Sequence, residues 1–268
     1  MTNCLGLFNR RVHWLLRTLA FLAICSQAAV QQNTVLENLG PDEVMRRVVA
    51  MNDLRAEALY SYSSFRSYHL ECHGVVHKNA DMLVRANYER PNKEDFTIVS
   101  EVGSSAIRHR VFRALLAAEL DSMQLANQQQ SAITSDNYRF RLVRCQKIGA
   151  DEFYVVEAQP RRKNRFLFRG RVWVNAKEFV ITRIEGEPVV NPSWWIHKSH
   201  FTLTYEKIGD FWLPESNQSV SKVRFVGTAV LTITYANYQI IPTPYVGLAV
   251  PTEKFSTGQR PMQGVQGD

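Results

Sequence analysis

The densest set of reactive side chains in this sequence is the stretch HLECHGVVH, residues 69–77. Successive side chains of a strand point to opposite faces, so on a strand His69, Glu71 and His73 share one face. Two imidazoles and a carboxylate are a zinc ligand set, with His77 as a fourth donor, and a metal so held would activate water. The spacing weighs against it. Residues two apart on a strand lie ~6.6 Å from each other, whereas zinc wants its donors within ~2.1 Å. Three ligands along a straight strand therefore strain to meet. The competing reading is a solvated outer face, opposite Tyr68, Leu70 and Cys72. The other acid and base groups point to no chemistry. The chain has no Gly-x-Ser-x-Gly elbow, no phosphate loop and no dinucleotide-binding glycine pattern. His109, His197 and His200 have no partner acid nearby in sequence, and Asp151-Glu152 sits beside a turn. The expectation is a protein that is not an enzyme and needs no metal or cofactor. A metal-dependent enzyme using His69, Glu71 and His73 is kept as an alternative.

Apolar residues carry a stronger pattern. In RVWVNAKEFVITRIEGEP, residues 171–188, two strands flank a turn at Asn175, Ala176 and Lys177. Val172 and Val174 lie on one face and Trp173 on the other, so neither face is polar. A half-exposed antiparallel strand alternates apolar with polar, and something must cover the second apolar face. The basic run before it, residues 161–171, mixes Arg161, Arg162, Lys163 and Arg165 with Phe166 and Phe168. It reads as a solvated turn leading into a strand whose apolar face carries Phe166, Phe168, Val172 and Val174. Further on, Phe201, Leu203 and Tyr205 share a face, as do Leu231, Ile233 and Tyr235. These ten residues are the candidate lining of an apolar cavity. Trp194 and Trp195 open a strand after Pro192; one ring belongs at the cavity or its helical cover and the other at a rim, with a packed loop anchor as the equal alternative.

The elements that would position these faces follow from periodicity. Residues 40–59 predict an amphipathic helix, with Pro41 as first helical residue, Asp42 and Glu43 in the first turn, and an apolar stripe of Val44, Val48, Met51, Leu54 and Leu59. A second helix is predicted over 106–123, with Ile107, Val111, Leu115 and Leu116 on one side and Arg108, Arg110 and Arg113 on the other. Residues 127–137 read as a polar loop. Roughly ten strands fill the rest, joined by short connections as in an antiparallel meander. A sheet that long must curl or close. The fold class is α+β and mostly antiparallel: a strongly curved, incomplete β-barrel with helices covering its concave apolar side.

Composition bounds the rest. The chain has 268 residues, 45% of them hydrophobic and 21% charged, as in an ordinary folded protein. Of the net charge of +7, three units come from Arg10, Arg11 and Arg17. The remaining excess is no argument for nucleic acid. Residues 1–29 read as an export signal: a basic start, the apolar run TLAFLAIC, and small residues at Ser26 and Ala28. That run is too short for a bilayer span, which needs ~20 residues. Cys25 follows Ile24, where a lipid-attachment cysteine takes a small residue, which counts against lipidation. Cys72 and Cys145 are then the two cysteines of an exported chain; their separation does not say whether they pair, and two buried thiols are the simpler reading. Residues 242–268 read as a Pro-rich, partly disordered tail.

The order of motifs over residues 35–241 resembles the LolA-like family of periplasmic outer-membrane lipoprotein-sorting proteins. YERPNKEDFTIVSEVG, residues 88–103, resembles that family's Arg-Pro-Asn step between two strands, with Arg90, Pro91, Asn92 and, soon after, the aromatic Phe96. WVN, a basic turn and RIEGEP resemble a later hairpin of the group. The resemblance implies a domain at residues 30–241 that holds lipid, or the acyl chains of lipoproteins, in an apolar cavity in the periplasm. Its partners would be lipid or an acylated lipoprotein and a membrane-bound donor or acceptor. A relative of this kind that acts as an envelope sensor, binding a partner protein on the same fold, is the second reading. Two features depart from the family pattern, the helix near residues 106–123 and the long Pro-rich tail.

Overall fold

The computed structural model describes residues 38–75 and 77–244. The expected export signal and nearly all of the expected Pro-rich tail lie outside them. The chain starts with α1 (Pro41–Ala58), which Pro41, Asp42 and Glu43 open as predicted. It continues into β1 (Leu59–Gly74), β2 (Lys78–Glu89) and β3 (Lys93–Gly103). A π-helical segment, Ile107–Phe112, runs on into α2 (Arg113–Ser122), and α3 (Leu125–Ser131) follows. Then come β4 (Tyr138–Ile148), β5 (Asp151–Pro160), β6 (Phe168–Asn175), β7 (Val180–Pro188), β8 (Ile196–Ile208), β9 (Phe211–Val223) and β10 (Gly227–Pro242).

All ten strands form one antiparallel sheet in the order β3-β2-β1-β10-β9-β8-β7-β6-β5-β4. The long last strand returns to pair with the first, so the free edges are β3 and β4. These two are neighbours in sequence, and the segment joining them, residues 104–137, must bridge the two edges of the open sheet. That segment carries the π-helical turn, α2 and α3. The sheet is therefore an incomplete barrel, as expected, and its helical connection is a consequence of leaving it open.

Register assigns the faces, because residues paired across antiparallel strands point the same way. One cross-sheet row runs Leu142, Val156, Val172, Ile184, Leu203, Asn217, Ile233, Tyr68 and Met82. Only Asn217 in it is polar. The next row holds Ala158, Gly170, Gly186, Phe201, Ser219, Leu231, Leu70 and Ala80. The two glycines are required there: a Cβ on Gly170 would sit 1.9 Å from the Glu185 carbonyl oxygen, and one on Gly186 would press on Phe168. Small residues hollow this row, and Phe168 and Phe201 meet edge to face beside it, centroids 5.7 Å apart.

Both helical pieces lie on this face. Ile107, Phe112 and Leu116 pack with Tyr68, Leu70, Met82, Val84 and Ile233. The predicted stripe placed Val111 inward, but Phe112 is fully buried and Val111 is 37% exposed. The cause is the π-helical turn. Its i→i+5 bonding puts the next inward residue five positions after Ile107, after which Leu116 follows at ordinary α spacing. In α1 the buried side is Val44, Met45, Val48 and Ala58, whereas Leu54 is exposed and Leu59 already belongs to β1. The predicted polar loop contains α3, held by Asn127, whose Nδ2 donates to the Asp121 carbonyl at 2.7 Å, and by Asn137, which donates to the Ala132 carbonyl at 2.8 Å.

The β6–β7 hairpin turns at residues 176–179. Asn175 Oδ1 accepts from the amides of Lys177 and Glu178, both at 3.0 Å, and Phe179 takes a left-handed φ of 46°. Both faces of β6 are covered. Val172 and Val174 belong to the helix side, while the Arg183 guanidinium lies over the Trp173 ring, 5.2 Å from its centroid. Cys72 and Cys145 do not pair. Cys72 is half-buried and Cys145 exposed, so they are not two buried thiols either.

Candidate functional site

Nine of the ten candidate lining residues share the helix-covered face by register: Phe168, Val172, Val174, Phe201, Leu203, Tyr205, Leu231, Ile233 and Tyr235. Phe166 does not. It precedes β6 and lies half-buried in the turn beneath the Arg165 guanidinium, 4.5 Å from its ring centroid. Burial divides the nine. Phe168, Val172, Val174 and Ile233 are buried and serve as core. Phe201, Leu203, Tyr205, Leu231 and Tyr235 are half-exposed and form a stripe across β8 and β10. Between them β9 contributes Asn217 and Ser219, so the stripe has a polar seam.

The stripe runs between the two helical covers. At its β10 end, Leu231 and Tyr235 pack against the cluster under the π-helical turn and α2. At its β8 end, Tyr205 lines a pocket of about 320 Å³. Asn52, Arg55 and Ala56 of α1 roof that pocket, and Ile181, Ile184 and Leu213 are among its sheet residues. Its volume falls in the ~300–1,000 Å³ range usual for small-ligand sites. Tyr205 is the only one of the ten candidates that lines it. A further pocket, of about 520 Å³, lies at the ends of β1, β2 and β10 around Tyr62, Tyr88 and Gln239, away from the stripe. Burial pushes the Tyr62 and Tyr205 phenols up to about 12 and raises Tyr235 as well, so this face carries no phenolate at neutral pH.

A buried charge cluster sits at the β10 end. Arg66 on β1 is 6% exposed. Its guanidinium pairs with Glu94 of β3 and with Glu119 of α2. It also lies 5.0 Å from the Phe96 centroid and 5.4 Å from that of Tyr235. Tyr68 donates its hydroxyl to Glu119 at 2.9 Å. Burial opposes the charge on Arg66, but Glu119 and Glu94 outweigh it and hold the guanidinium protonated. Burial raises Glu119, against the pull of Arg66. The cluster fastens α2 to the floor of the sheet. The one signal in the sequence was an arginine on the inward register of β1, among Tyr62, Tyr68 and Leu70.

The histidine stretch does not assemble as metal ligands. His69 Nδ1 lies 2.5 Å from Asp81 Oδ1, and its Nε2 lies 2.9 Å from Glu71 Oε1; His73 Nε2 is 3.1 Å from Glu71 Oε2. A carboxylate thus sits at each ring nitrogen of His69, and both nitrogens are already engaged. The carboxylates of Asp81 and Glu71 accordingly raise its pKa. No group of three or more His, Cys, Asp or Glu with metal-holding geometry occurs among the described residues. The basic run at 161–171 is tied down at its start. Arg161 donates to the Ser135 and Tyr138 carbonyls, Arg162 to Asn137, and Arg165 pairs with Asp121.

No family model and no curated protein matches this sequence. Solved structures do. A LolA superfamily protein from Nitrosomonas europaea is 11% identical, with a TM-score of 0.34, and the match covers 77% of this chain and 96% of that one. A DUF1329 family protein from Desulfovibrio piger is 13% identical, with a TM-score of 0.38, covering 79% and 96%. The MucA/MucB complex from Pseudomonas aeruginosa contributes a chain 9% identical, with a TM-score of 0.24, covering 72% and 93%.

Proposed function

We propose that this is an exported binding protein of the cell envelope that holds an acyl chain along the stripe Phe201, Leu203, Tyr205, Leu231 and Tyr235, beneath the two helical covers. The observation that carries this reading is the stripe itself: five large apolar or aromatic side chains on the helix-covered face are only partly buried, while Phe168, Val172, Val174 and Ile233 on the same face are buried. Each methylene taken from water there contributes roughly 0.8 kcal/mol. The pocket under α1 gives the chain end a place to go. The polar seam of Asn217 and Ser219 and the neutral phenols suit an uncharged ester or amide near the headgroup better than a second charge. Binding needs no chemistry at the site, which agrees with a carrier rather than an enzyme. The test is mass spectrometry of lipid extracted from the purified protein, with titration of a fluorescent fatty acid. Bound lipid is expected, and Leu203→Asp removes it while the protein stays folded. Absence of extractable lipid together with no probe binding would sink the reading.

A further inference from the structure

At one end of the sheet three connections meet. The β7–β8 loop carries Trp194 and Trp195, the β9–β10 turn carries Phe225, and the β1–β2 turn carries Val75. Backbone bonds tie them together: the Arg224 amide donates to the Trp195 carbonyl at 2.9 Å, and the Val75 amide to the Val226 carbonyl at 3.1 Å. The two indoles stack with centroids 3.7 Å apart, and Phe225 meets Trp195 edge-on at 6.2 Å. This aromatic group faces water. Trp194 is 65% exposed, Phe225 80% and Val75 83%. Phe225 also holds a φ of 62°, which bulky residues rarely adopt. The turn thus presents a phenyl ring outward without gaining any burial for it.

The charge around the group is mostly positive, with Glu71 beside His73 and Glu187 beside Lys198 as acids at its edge. The stretches 72–80, 188–200 and 219–235, which build this end, contain no aspartate or glutamate. They contain Lys78, Lys198, Lys222 and Arg224, with His73, His77, His197 and His200. Lys198 and Lys222 are paired directly across β8 and β9, where like charges repel. Among the described residues, only Lys198 of these four cations has a carboxylate partner, Glu187 at 3.2 Å. Exposed tryptophan and phenylalanine on an end that also carries Lys78, Lys222 and Arg224, none with a carboxylate partner among the described residues, is the composition of a surface that sits in the headgroup layer of an anionic membrane. The rings enter the interface and the cations meet lipid phosphates, which supplies the two signals that stable peripheral attachment takes. A second copy of the chain fits poorly, because it would bring the same cations face to face.

We infer that this end of the sheet docks the protein on an anionic lipid surface. The inference is independent of what the helix-covered face binds. It is tested by flotation of the full-length chain with phosphatidylcholine vesicles and with the same vesicles containing phosphatidylglycerol, alongside tryptophan emission and quenching by brominated lipid. Binding to the anionic vesicles is expected, with a blue-shifted, bromine-quenched emission that added salt diminishes. Trp194→Ser combined with Phe225→Ser lowers that binding at least about tenfold. Lys222→Gln combined with Arg224→Gln, at exposed positions, removes most of the preference for anionic vesicles and keeps the residual binding. All chains compared share the same N-terminal apolar run, so differences between them report on the patch. Circular dichroism checks that each variant is folded. Folded variants that bind as well as the parent chain overturn the inference. So does a concentration-dependent dimer in light scattering that the aromatic variant abolishes, for the face would then join copies of the chain.

Discussion

Arg66 is the residue on which the helix-covered face depends most for its charge balance. It is a buried cation whose two partners come from different elements, Glu94 on β3 and Glu119 on α2. Removing one member of such a group strands the others, and the stranded charges cost more than the pair contributed. Arg66→Met is therefore expected to destabilise the fold by about 3–5 kcal/mol in urea denaturation. Replacing Glu94 and Glu119 by leucine in the same chain should recover much of that loss, since an apolar cluster of similar volume needs no counterion. Failure of the triple change to recover stability would mean that the cluster acts through shape rather than charge. His69 offers the pH-dependent case. Asp81 and then Glu71 raise its pKa above the ordinary 6.5. A raised value means that the folded state binds the proton more tightly. The associated stability is complete below pH 6.5 and is lost as pH rises through the folded value. An NMR titration of the imidazole should show the raised value, and Asp81→Asn should return it toward 6.5 and flatten the stability profile across that window. The pair is exposed, so the effect on stability is small.

Between α1 and the β3–β4 connection, the two helical covers differ in how far sequence pattern could reach them. The start of α1 was legible, because Pro41, Asp42 and Glu43 act locally on the first turn. The strands were legible too, because period-two alternation survives even where both faces are apolar; nine of the ten expected lining positions share one face for that reason. Phe166 failed because a strand pattern was extended backward into a turn that Asn164 organises through its side chain, accepting from the Phe166 amide at 2.9 Å. The inward phase of residues 107–116 failed because an α period was assumed where the backbone makes a π-helical turn. Nothing in composition separates the two, as the difference lies in the bonding and in the tertiary contacts that Phe112 makes with Tyr68. The Arg66 cluster was hidden because its members lie far apart in sequence and meet only when the connection folds back over the sheet. The π turn makes a sharp prediction. Phe112→Ala should cost about 3–5 kcal/mol, as deletion of a fully buried ring does. Val111→Ala, on the other side of the same turn, should stay within about 0.5–1 kcal/mol. Under an α-helical phase the order would reverse, so equilibrium unfolding of the two variants decides between the geometries.

Leaving the sheet open between β3 and β4 ties the covers to the site. The chain passes from one edge to the other on the helix side, so the segment that completes the topology also packs on the β10 end of the stripe, at Leu231 and Tyr235. On the proposed reading, a ligand lying under it would touch both the sheet and the cover, and its binding would stabilise the whole domain rather than one loop. Ligand that binds only the folded state adds RT ln(1 + [L]/Kd), about 2.7 kcal/mol at a hundredfold excess over Kd. For a domain of this size each kcal/mol raises Tm by about 2–4 °C. A saturating long-chain fatty acid or monoacylglycerol is thus expected to raise the thermal midpoint by roughly 5–10 °C in differential scanning calorimetry. The gain should grow with chain length, since each further buried methylene adds its share, and level off once the chain outruns the stripe and the pocket under α1. Leu203→Asp, on the half-exposed stripe, should keep a cooperative transition and lose the shift. Val172→Asp, in the buried core beside it, should lose the cooperative transition as well. A midpoint that does not move with any acyl compound, in a protein whose Leu203→Asp variant behaves like the parent, would show that the stripe is a surface the helices cover incompletely and not a site that a ligand fills.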